Sequence, residues 1–275
     1  MATYPFQRIL LATEHTEFDA GAERIAFAMA QRCGIPLRVV VPIVSNPEYE
    51  AEMPELALRD DRAAGKKIED LRREAQAAGV QLEIQVRHGA EPWREIVDEA
   101  ENSRADLVVI RRRGKPGFLA NLLVGEMVSK VIRDVSCCVL MVPRAAEFWS
   151  HGVLAAVGDT PAAQDIAKFA ANIASVCDLP LTIVSVAEDE ASLSRIEGLN
   201  TLNVALASPI CEKTEGVVAV GKTVEQTVAV CRESGADLMV IGRQRYHLLP
   251  FAHGGNSLMQ KLAGAMVVPT LVVPS

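Results

Sequence analysis

Two stretches of this sequence combine glycines, basic residues and a following helix in the order that anion binding requires. The first runs from Ala105 to Val131 and the second from Ala236 to Leu262. Each begins with an unbroken apolar run, typical of a buried parallel strand, and continues through a loop into residues with helical periodicity. The N–H groups of such a loop and of the helix N-terminus can donate hydrogen bonds to a phosphate. Both stretches are therefore candidate phosphate-binding sites.

These stretches belong to a repeat that runs through the whole chain. The segment Ile9–Ala12 recurs 144 residues later as Val153–Ala156, and the Ala-Asp-Leu that begins at Ala105 recurs 131 residues later at Ala236. Because the second offset is smaller, the second copy is shorter in its middle. A repeat of this length predicts two copies of one domain. The predicted boundaries are 1–143 for the first domain, 144–152 for a linker and 153–275 for the second domain.

Each half alternates predicted strands with predicted helices, starting and ending on a strand. Because crossovers between parallel strands are right-handed, this pattern indicates a five-stranded parallel sheet with helices on both faces. We predict an α/β fold made of two tandem, Rossmann-like parallel-sheet domains. The second strand of the first half is predicted to stop at Val41, because Pro42 follows it. Ligands of such sheets bind beyond the carboxyl ends of the strands, where the loops after the first and fourth strands meet.

Composition excludes several classes of function. A formal net charge of −7 argues against general binding of nucleic acid, which needs a basic surface. No apolar run is long enough to insert into a membrane, and the first residues enter a strand directly, so we expect a cytoplasmic protein. The six cysteines show no CxxC spacing and stand in apolar segments, which predicts buried, reduced thiols.

Metal-binding and catalytic alternatives have weak support. His247 and His253 flank the loop of the second stretch, and Asp159 is predicted nearby. Neither HxxxH nor HExxH spacing is present, so solvated loop histidines are favoured over a metal site. Residues for Ser-His-Asp catalysis exist, but no nucleophile elbow holds a serine. The sequence predicts neither a metal nor a catalytic centre.

Several segments, in order and spacing, resemble the universal stress protein family. They are the opening Ile9–Glu14, Gly89 and Pro92 before a helix, and Asp106–Ile110 on the fourth strand, and the resemblance extends over 8–142 and 153–273. It implies a fold like that of the adenine nucleotide alpha hydrolases. It also implies a regulatory role in stress, an unidentified protein partner and little or no catalysis. Some branches of the family bind an adenine nucleotide, ATP or AMP.

Single-domain members of that family dimerise through the last strand. The resemblance therefore implies that the two fused halves form a pseudo-dimer within one chain. Further self-association of the tandem chain into a homodimer is left open by the sequence.

The family motif, Gly-x2-Gly-x9-Gly-Ser/Thr, is degenerate in the first half. Arg111 replaces the first glycine, and Gly114 and Gly125 remain with ten residues between them. Glu126 takes the Ser/Thr position, and Glu14 stands where the opening loop of the family has Asp. A carboxylate at a helix N-terminus would fill the anion site itself. An ion-pair cluster of Glu126 with Arg111–Arg113 and Lys115 is therefore favoured over phosphate binding there, and Pro42 has no N–H to offer an adenine.

The second half keeps more of the motif, so it is the favoured site. Gly242 is retained, although Arg245 replaces the second glycine and Gly158-Asp159 stands where the family has Asp then Gly. The candidate binding residues of the second half are Asp159, Val186, Gly242, Gly255, Asn256 and Ser257. Those of the degenerate first half are Glu14, Gly114 and Gly125.

Three hypotheses for function follow. The first is a non-catalytic stress-response or regulatory protein with an adenine nucleotide in its second domain. The second is a pure scaffold or interaction protein with no nucleotide in either domain. The third, a weak ATP hydrolase, is the least favoured, because no carboxylate or lysine stands where a P-loop would place it.

Overall fold

A computed structural model describes residues 5–45, 54–112, 125–243 and 258–274. The chain divides into two compact units, with the described residues 6–112 and 125–148 in the first and those from Trp149 onward in the second. Each unit is an α/β domain built on five parallel strands. Among the described residues, no helix is long and apolar enough to cross a membrane.

The first unit has five strands in the order β3-β2-β1-β4-β5, and all adjacent strands are parallel. The strand order reverses between β1 and β4, so the loops that follow these two strands lie side by side. In chain order the elements are β1 (Ile9–Ala12), α1 (Ala20–Cys33), β2 (Leu37–Val44), α2 (Pro54–Ala77), β3 (Leu82–Gly89), α3 (Pro92–Asn102), β4 (Leu107–Arg111), α4 (Glu126–Asp134) and β5 (Cys138–Val142).

The second unit repeats this topology with the strand order β8-β7-β6-β9-β10. The predicted α/β fold, with five parallel strands in each unit, is therefore confirmed. Its elements are β6 (Val153–Ala156), α5 (Ala163–Val176), β7 (Leu181–Ala187), α6 (Glu190–Ala207), β8 (Thr214–Val220), α7 (Thr223–Ser234), β9 (Leu238–Arg243), α8 (Leu258–Ala265) and β10 (Thr270–Pro274).

Two details of the sequence prediction are wrong. β2 does not stop before Pro42 but continues to Val44. The pairing of β2 with β1 ends at Val40, so among the described strands Pro42 is paired with β3 alone. Because β1 does not extend to Pro42, the missing N–H of the proline removes no hydrogen bond to β1. All six cysteines are thiols outside any disulfide, as predicted, yet Cys33, Cys137 and Cys177 are only half-buried.

The repeated Ala-Asp-Leu segment has a structural role at the amino ends of the strands. In the first unit Asp106 accepts hydrogen bonds from the backbone N–H groups of Gln7 and Arg8 at 2.9 and 3.0 Å. In the second unit Asp237 accepts bonds from the N–H groups of three consecutive residues, Ser150 to Gly152, at 2.6–3.1 Å. Each aspartate thereby fixes the chain entering the central strand.

Replacing Asp237 by Asn should lower the free energy of unfolding at pH 7 by about 1–2 kcal/mol, because charge-assisted hydrogen bonds are lost. Burial alone would raise the pKa of Asp237, but the hydrogen bonds from Ser150, His151 and Gly152 outweigh it and lower the pKa. A carboxylate with a lowered folded pKa stabilises above its unfolded pKa of about 4 and loses that effect as pH falls. Urea unfolding should show the deficit at pH 7 and a smaller one at pH 3.

The exposed Glu188 provides the control, since Glu188→Gln should leave the free energy of unfolding unchanged at both pH values. An Asp237→Asn deficit of equal size at pH 3 and pH 7 would contradict the role given to the ionised carboxylate.

Gly21 on α1 is required by close packing. A Cβ atom there would lie 2.2 Å from the carbonyl oxygen of Pro143 and 2.8 Å from that of Arg144. Backbone atoms cannot rotate away, so Gly21→Ala should cost about 1–3 kcal/mol of unfolding free energy, as overpacked cores do. Gly65, in the interior of α2, has no atom within 4 Å of such a Cβ. There the same substitution should stabilise by about 0.5–1 kcal/mol through helix propensity. Thermal unfolding of the two variants should shift in opposite directions, and shifts of the same sign would refute the packing argument.

Candidate functional site

The second unit contains a cavity of about 220 Å³ at the carboxyl ends of β6, β7 and β9. This is the point of strand-order reversal, where ligands of open α/β sheets bind. The floor and walls are mainly aliphatic, and the polar groups are few. The aliphatic residues are Ala156, Val157, Ile166, Val184, Val186, Ile241, Leu258 and Leu262, and the polar ones are Asp159, Thr160, Thr223 and Thr227.

Three of the predicted binding residues meet in this cavity. Asp159 follows β6, Val186 lies on β7 and Gly242 lies on β9, and all three line the wall. The carboxylate of Asp159 forms an ion pair with Arg195 on α6, so its charge is already partly compensated. The other predicted residues, Gly255, Asn256 and Ser257, are outside the described residues, as are His247 and His253. The first residue of α8, Leu258, reaches the cavity, so this helix begins beside it.

Gly242 keeps the cavity clear. A Cβ atom at this position would lie 2.3 Å from Cδ1 of Ile166, a core residue of α5 that also lines the cavity. Any side chain on Gly242 would therefore take up space between β9 and α5. The requirement is one of volume, because Gly242 has no left-handed backbone.

Two polar residues of the cavity were missed by the sequence analysis. Thr223 and Thr227 stand four residues apart on α7, which places them on one face of the helix. Thr227 is only 1% exposed and lines the cavity. At the same repeat offset the first half has Pro92 and Ile96. A comparison of the two copies, position by position, would have revealed these hydroxyls.

In the first unit the equivalent cavity is closed by Arg111, which occupies the position of Gly242. Its side chain is 5% exposed. One guanidinium nitrogen, Nη1, donates to Asp19 Oδ2 at 2.8 Å and to Thr16 Oγ1 at 3.0 Å, and Nη2 donates to Glu14 Oε1 at 3.0 Å. The cavity that remains measures about 10 Å³. That volume holds about one water molecule, so it excludes a nucleotide.

The predicted ion pair between Glu126 and Arg111 is wrong. Glu126 opens α4 with its side chain 83% exposed, and its carboxylate lies 3.0 Å from Nζ of Lys130. Arg111 ends a buried strand and points toward α1, whereas Glu126 opens a surface helix, so the two face different surroundings. Gly125 caps α4 and accepts a hydrogen bond from Ser129 N at 3.0 Å. Gly114, Arg113 and Lys115 are outside the described residues.

At this site the two halves of the chain differ at two positions that contact each other in the first unit. Asp19 in the first half corresponds to Ala163 in the second at the offset of 144, and Arg111 corresponds to Gly242 at the offset of 131. The buried acid is therefore present in the half that has Arg111 and absent from the half that has Gly242 at that position. This correspondence indicates that Arg111 and Asp19 form one structural unit.

A second polar group lies beside that pair in the first unit. Glu23 on α1 is 5% exposed and accepts a hydrogen bond from Thr13 Oγ1 at 2.6 Å. His15 Nδ1 lies 3.0 Å from the same oxygen, Oε1. Burial raises the pKa of Glu23, although the contacts with Thr13 and His15 oppose the shift. The second half has Ala167 at the position of Glu23, so this group is specific to the first half.

Comparison with known sequences identifies relatives of a single kind. The profile of the universal stress protein family matches residues 5–143. A universal stress protein of Synechocystis is 33% identical over 152 residues, an alignment that covers 50% of this chain and 97% of the relative.

Solved structures show the same resemblance in the fold. A universal stress protein from Archaeoglobus fulgidus aligns with a TM-score of 0.77 at 16% identity, covering 98% of this chain and 99% of that one. Another universal stress protein, crystallised in complex with cAMP, aligns with 52% of this chain at a TM-score of 0.42. The first comparison shows that the whole tandem fold has a structural counterpart.

Proposed function

The chain belongs to the universal stress protein family, and we propose that it is a non-catalytic regulatory member that takes one adenine nucleotide in its second unit. The observation that carries this proposal is the difference between the two cavities, about 220 Å³ in the second unit against about 10 Å³ in the first. The two units share one fold, but at the point of strand-order reversal the second unit has room for a ligand and the first does not.

The lining of the larger cavity supports a nucleobase and part of its ribose. Small-molecule sites are mainly apolar with a few polar groups that fix orientation. Here Val186 and Ile241 belong to an aliphatic wall for a flat ring, and Thr227 offers a buried hydroxyl for its edge. A volume of about 220 Å³ is below the ~300–1,000 Å³ of sites that enclose drug-sized ligands. The phosphates are therefore proposed to extend beyond the cavity, next to the start of α8.

The proposal that the protein is not a catalyst is based on the ionisable side chains that line this cavity. Among the described residues that line the cavity, Asp159 is the one ionisable side chain, and it is paired with Arg195. A hydrolase needs a general base or a metal ion to activate water. The geometry supports binding of a nucleotide and a response to it, with the closed first unit acting as a scaffold or partner surface.

Isothermal titration of the full chain with ATP and with AMP tests this function. We expect one nucleotide per chain, with no sustained release of phosphate from ATP in the presence of Mg²⁺. Two nucleotides per chain would refute the closure of the first unit, and steady turnover would refute the non-catalytic part. If neither nucleotide binds, the chain is a scaffold without a nucleotide, which is the second hypothesis drawn from the sequence.

The hydroxyl of Thr227 should contribute to affinity in a way that can be measured. Thr227→Val keeps the shape of the side chain and removes its hydrogen bond, so the dissociation constant for AMP should rise about 3–10-fold. Thr201→Val, at an exposed position of α6, makes the same chemical change away from the cavity and should bind like the unmodified protein. If the two variants bind AMP with equal affinity, the Thr227 hydroxyl does not contribute to nucleotide binding.

A further inference from the structure

Three side chains with metal-ligating atoms converge in the first unit, away from the cavity of the second. They are His15 in the loop after β1, Glu23 on α1 and Glu74 on α2. One ligand atom from each lies within 4.8 Å of the other two. Within the described part of the chain, this is the one such group of three.

The carboxylate of Glu23 is paired with His15, whose ring carries a charge only when it is protonated. The hydrogen bond from Thr13 and the contact with His15 Nδ1 both fall on Oε1 of Glu23. The cation nearby, Arg111, is bound to Asp19 and Glu14 instead. Buried charges are normally paired with an opposite charge or bound to a metal.

The position of Glu74 is set by the packing of α2. Lys67 Nζ donates to the carbonyl oxygen of Glu14 at 2.9 Å, which holds the helix against the loop that carries His15. Seven residues make nearly two helical turns, so Lys67 and Glu74 lie on the same side of α2, about 10 Å apart along its axis. Leu71 between them is fully buried. The helix therefore presents Glu74 to His15 and Glu23.

We propose that His15, Glu23 and Glu74 bind a divalent transition-metal ion, with Zn²⁺ as the ion that the donor set fits best. One imidazole and two carboxylates are ligands that zinc accepts, whereas Mg²⁺ and Ca²⁺ prefer oxygen ligands alone. The two carboxylates match the charge of the ion when His15 is neutral.

The distances are compatible with such an ion. Two ligands of a tetrahedral zinc ion, with bonds of about 2.1 Å, stand roughly 3.4 Å apart. His15 Nδ1 and Glu23 Oε1 are 3.0 Å apart, and Glu74 is exposed and free to adjust. Thr13, which donates to Glu23 at 2.6 Å, orients a ligand as outer groups of metal sites do. The remaining coordination position falls to water.

This site is independent of nucleotide binding. Its residues are absent from the second half, where Asp159 and Ala167 take the positions of His15 and Glu23. One metal ion per chain is therefore expected, and its binding should not depend on AMP.

Zinc titration of the metal-free, untagged full chain tests the proposal. The unmodified protein should bind one Zn²⁺ and unfold at a higher temperature with Zn²⁺ than without it. Glu23→Gln and His15→Gln should each weaken binding at least 10-fold. Glu74→Gln should do the same, and because Glu74 is exposed this variant will fold even if the buried ones do not.

Glu69→Gln is the matched control, since it removes an exposed carboxylate from the same helix outside the group. It should keep the affinity of the unmodified protein. Cobalt substitution separates this site from the six cysteine thiols, because a thiolate ligand gives an intense charge-transfer band and a His–Glu site does not. No zinc binding, equal binding by Glu74→Gln and Glu69→Gln, or a thiolate band on cobalt would each overturn the proposal.

Discussion

Gly242→Arg should abolish binding of adenine nucleotide to the chain. The substitution copies Arg111 into the second unit, where the Cβ atom alone would lie 2.3 Å from Ile166 Cδ1. The rest of the side chain would occupy the cavity of about 220 Å³. The nucleotide could enter only after this side chain had left the cavity, and a cost of about 3 kcal/mol for that displacement would lower the affinity for AMP at least ~100-fold in isothermal titration.

Gly198→Arg is the control for this experiment. Gly198 is exposed on α6, and no atom lies within 4 Å of a Cβ built there, so the same change of residue type should leave affinity unaltered. Circular dichroism of both variants establishes that the second unit is folded. Full affinity in folded Gly242→Arg would exclude the second-unit cavity as the binding site.

Asp19→Ala should cause the largest loss of stability among the polar substitutions considered. Asp19 is 1% exposed and accepts a hydrogen bond from Arg111 at 2.8 Å. Its removal leaves a buried guanidinium with Glu14 and Thr16 alone, and breaking a buried ion pair costs about 3–5 kcal/mol. We expect the free energy of unfolding in urea to fall by about 3 kcal/mol, the lower end of that range, because Glu14 still pairs with Arg111.

The double substitution Asp19→Ala with Arg111→Gly copies the pair Ala163 and Gly242 of the second unit. It should be more stable than Asp19→Ala alone, since the uncompensated charge is gone, and the cycle of four proteins measures the coupling directly. Glu17→Ala, which breaks the exposed pair of Glu17 with Arg144, should cost under about 1 kcal/mol. A double variant no more stable than Asp19→Ala, or an Asp19→Ala loss as small as that of Glu17→Ala, would contradict the buried pair.

Most of the fold was predictable because it depends on local patterns. Unbroken apolar strands such as Leu107–Ile110 and the repeat at two offsets fixed the number, type and order of the elements. The extent of β2 was not predictable, since it depends on where β1 ends and leaves Pro42 without a partner strand on that side. The sequence contains no local signal for that geometry.

The candidate site was predictable in part. The family resemblance pointed to Gly242 in the motif and to Asp159 and Val186 outside it, and all three line the second-unit cavity. The resemblance did not identify Thr223 and Thr227, because these two residues lie on a helix outside the motif. The contacts of Arg111 were assigned to its neighbours in sequence, whereas its partner Asp19 is 92 residues away. Long-range ion pairs of this kind follow from the sheet topology, which brings the loops after β1 and β4 together.

A crystal structure of the full chain with an adenine nucleotide tests the central claim most directly. The account predicts one nucleotide, lodged between Val186 and Gly242 in the second unit, with Arg111 still bound to Asp19 in the first. A nucleotide in the first unit, with Arg111 displaced and the second-unit cavity empty, would contradict it.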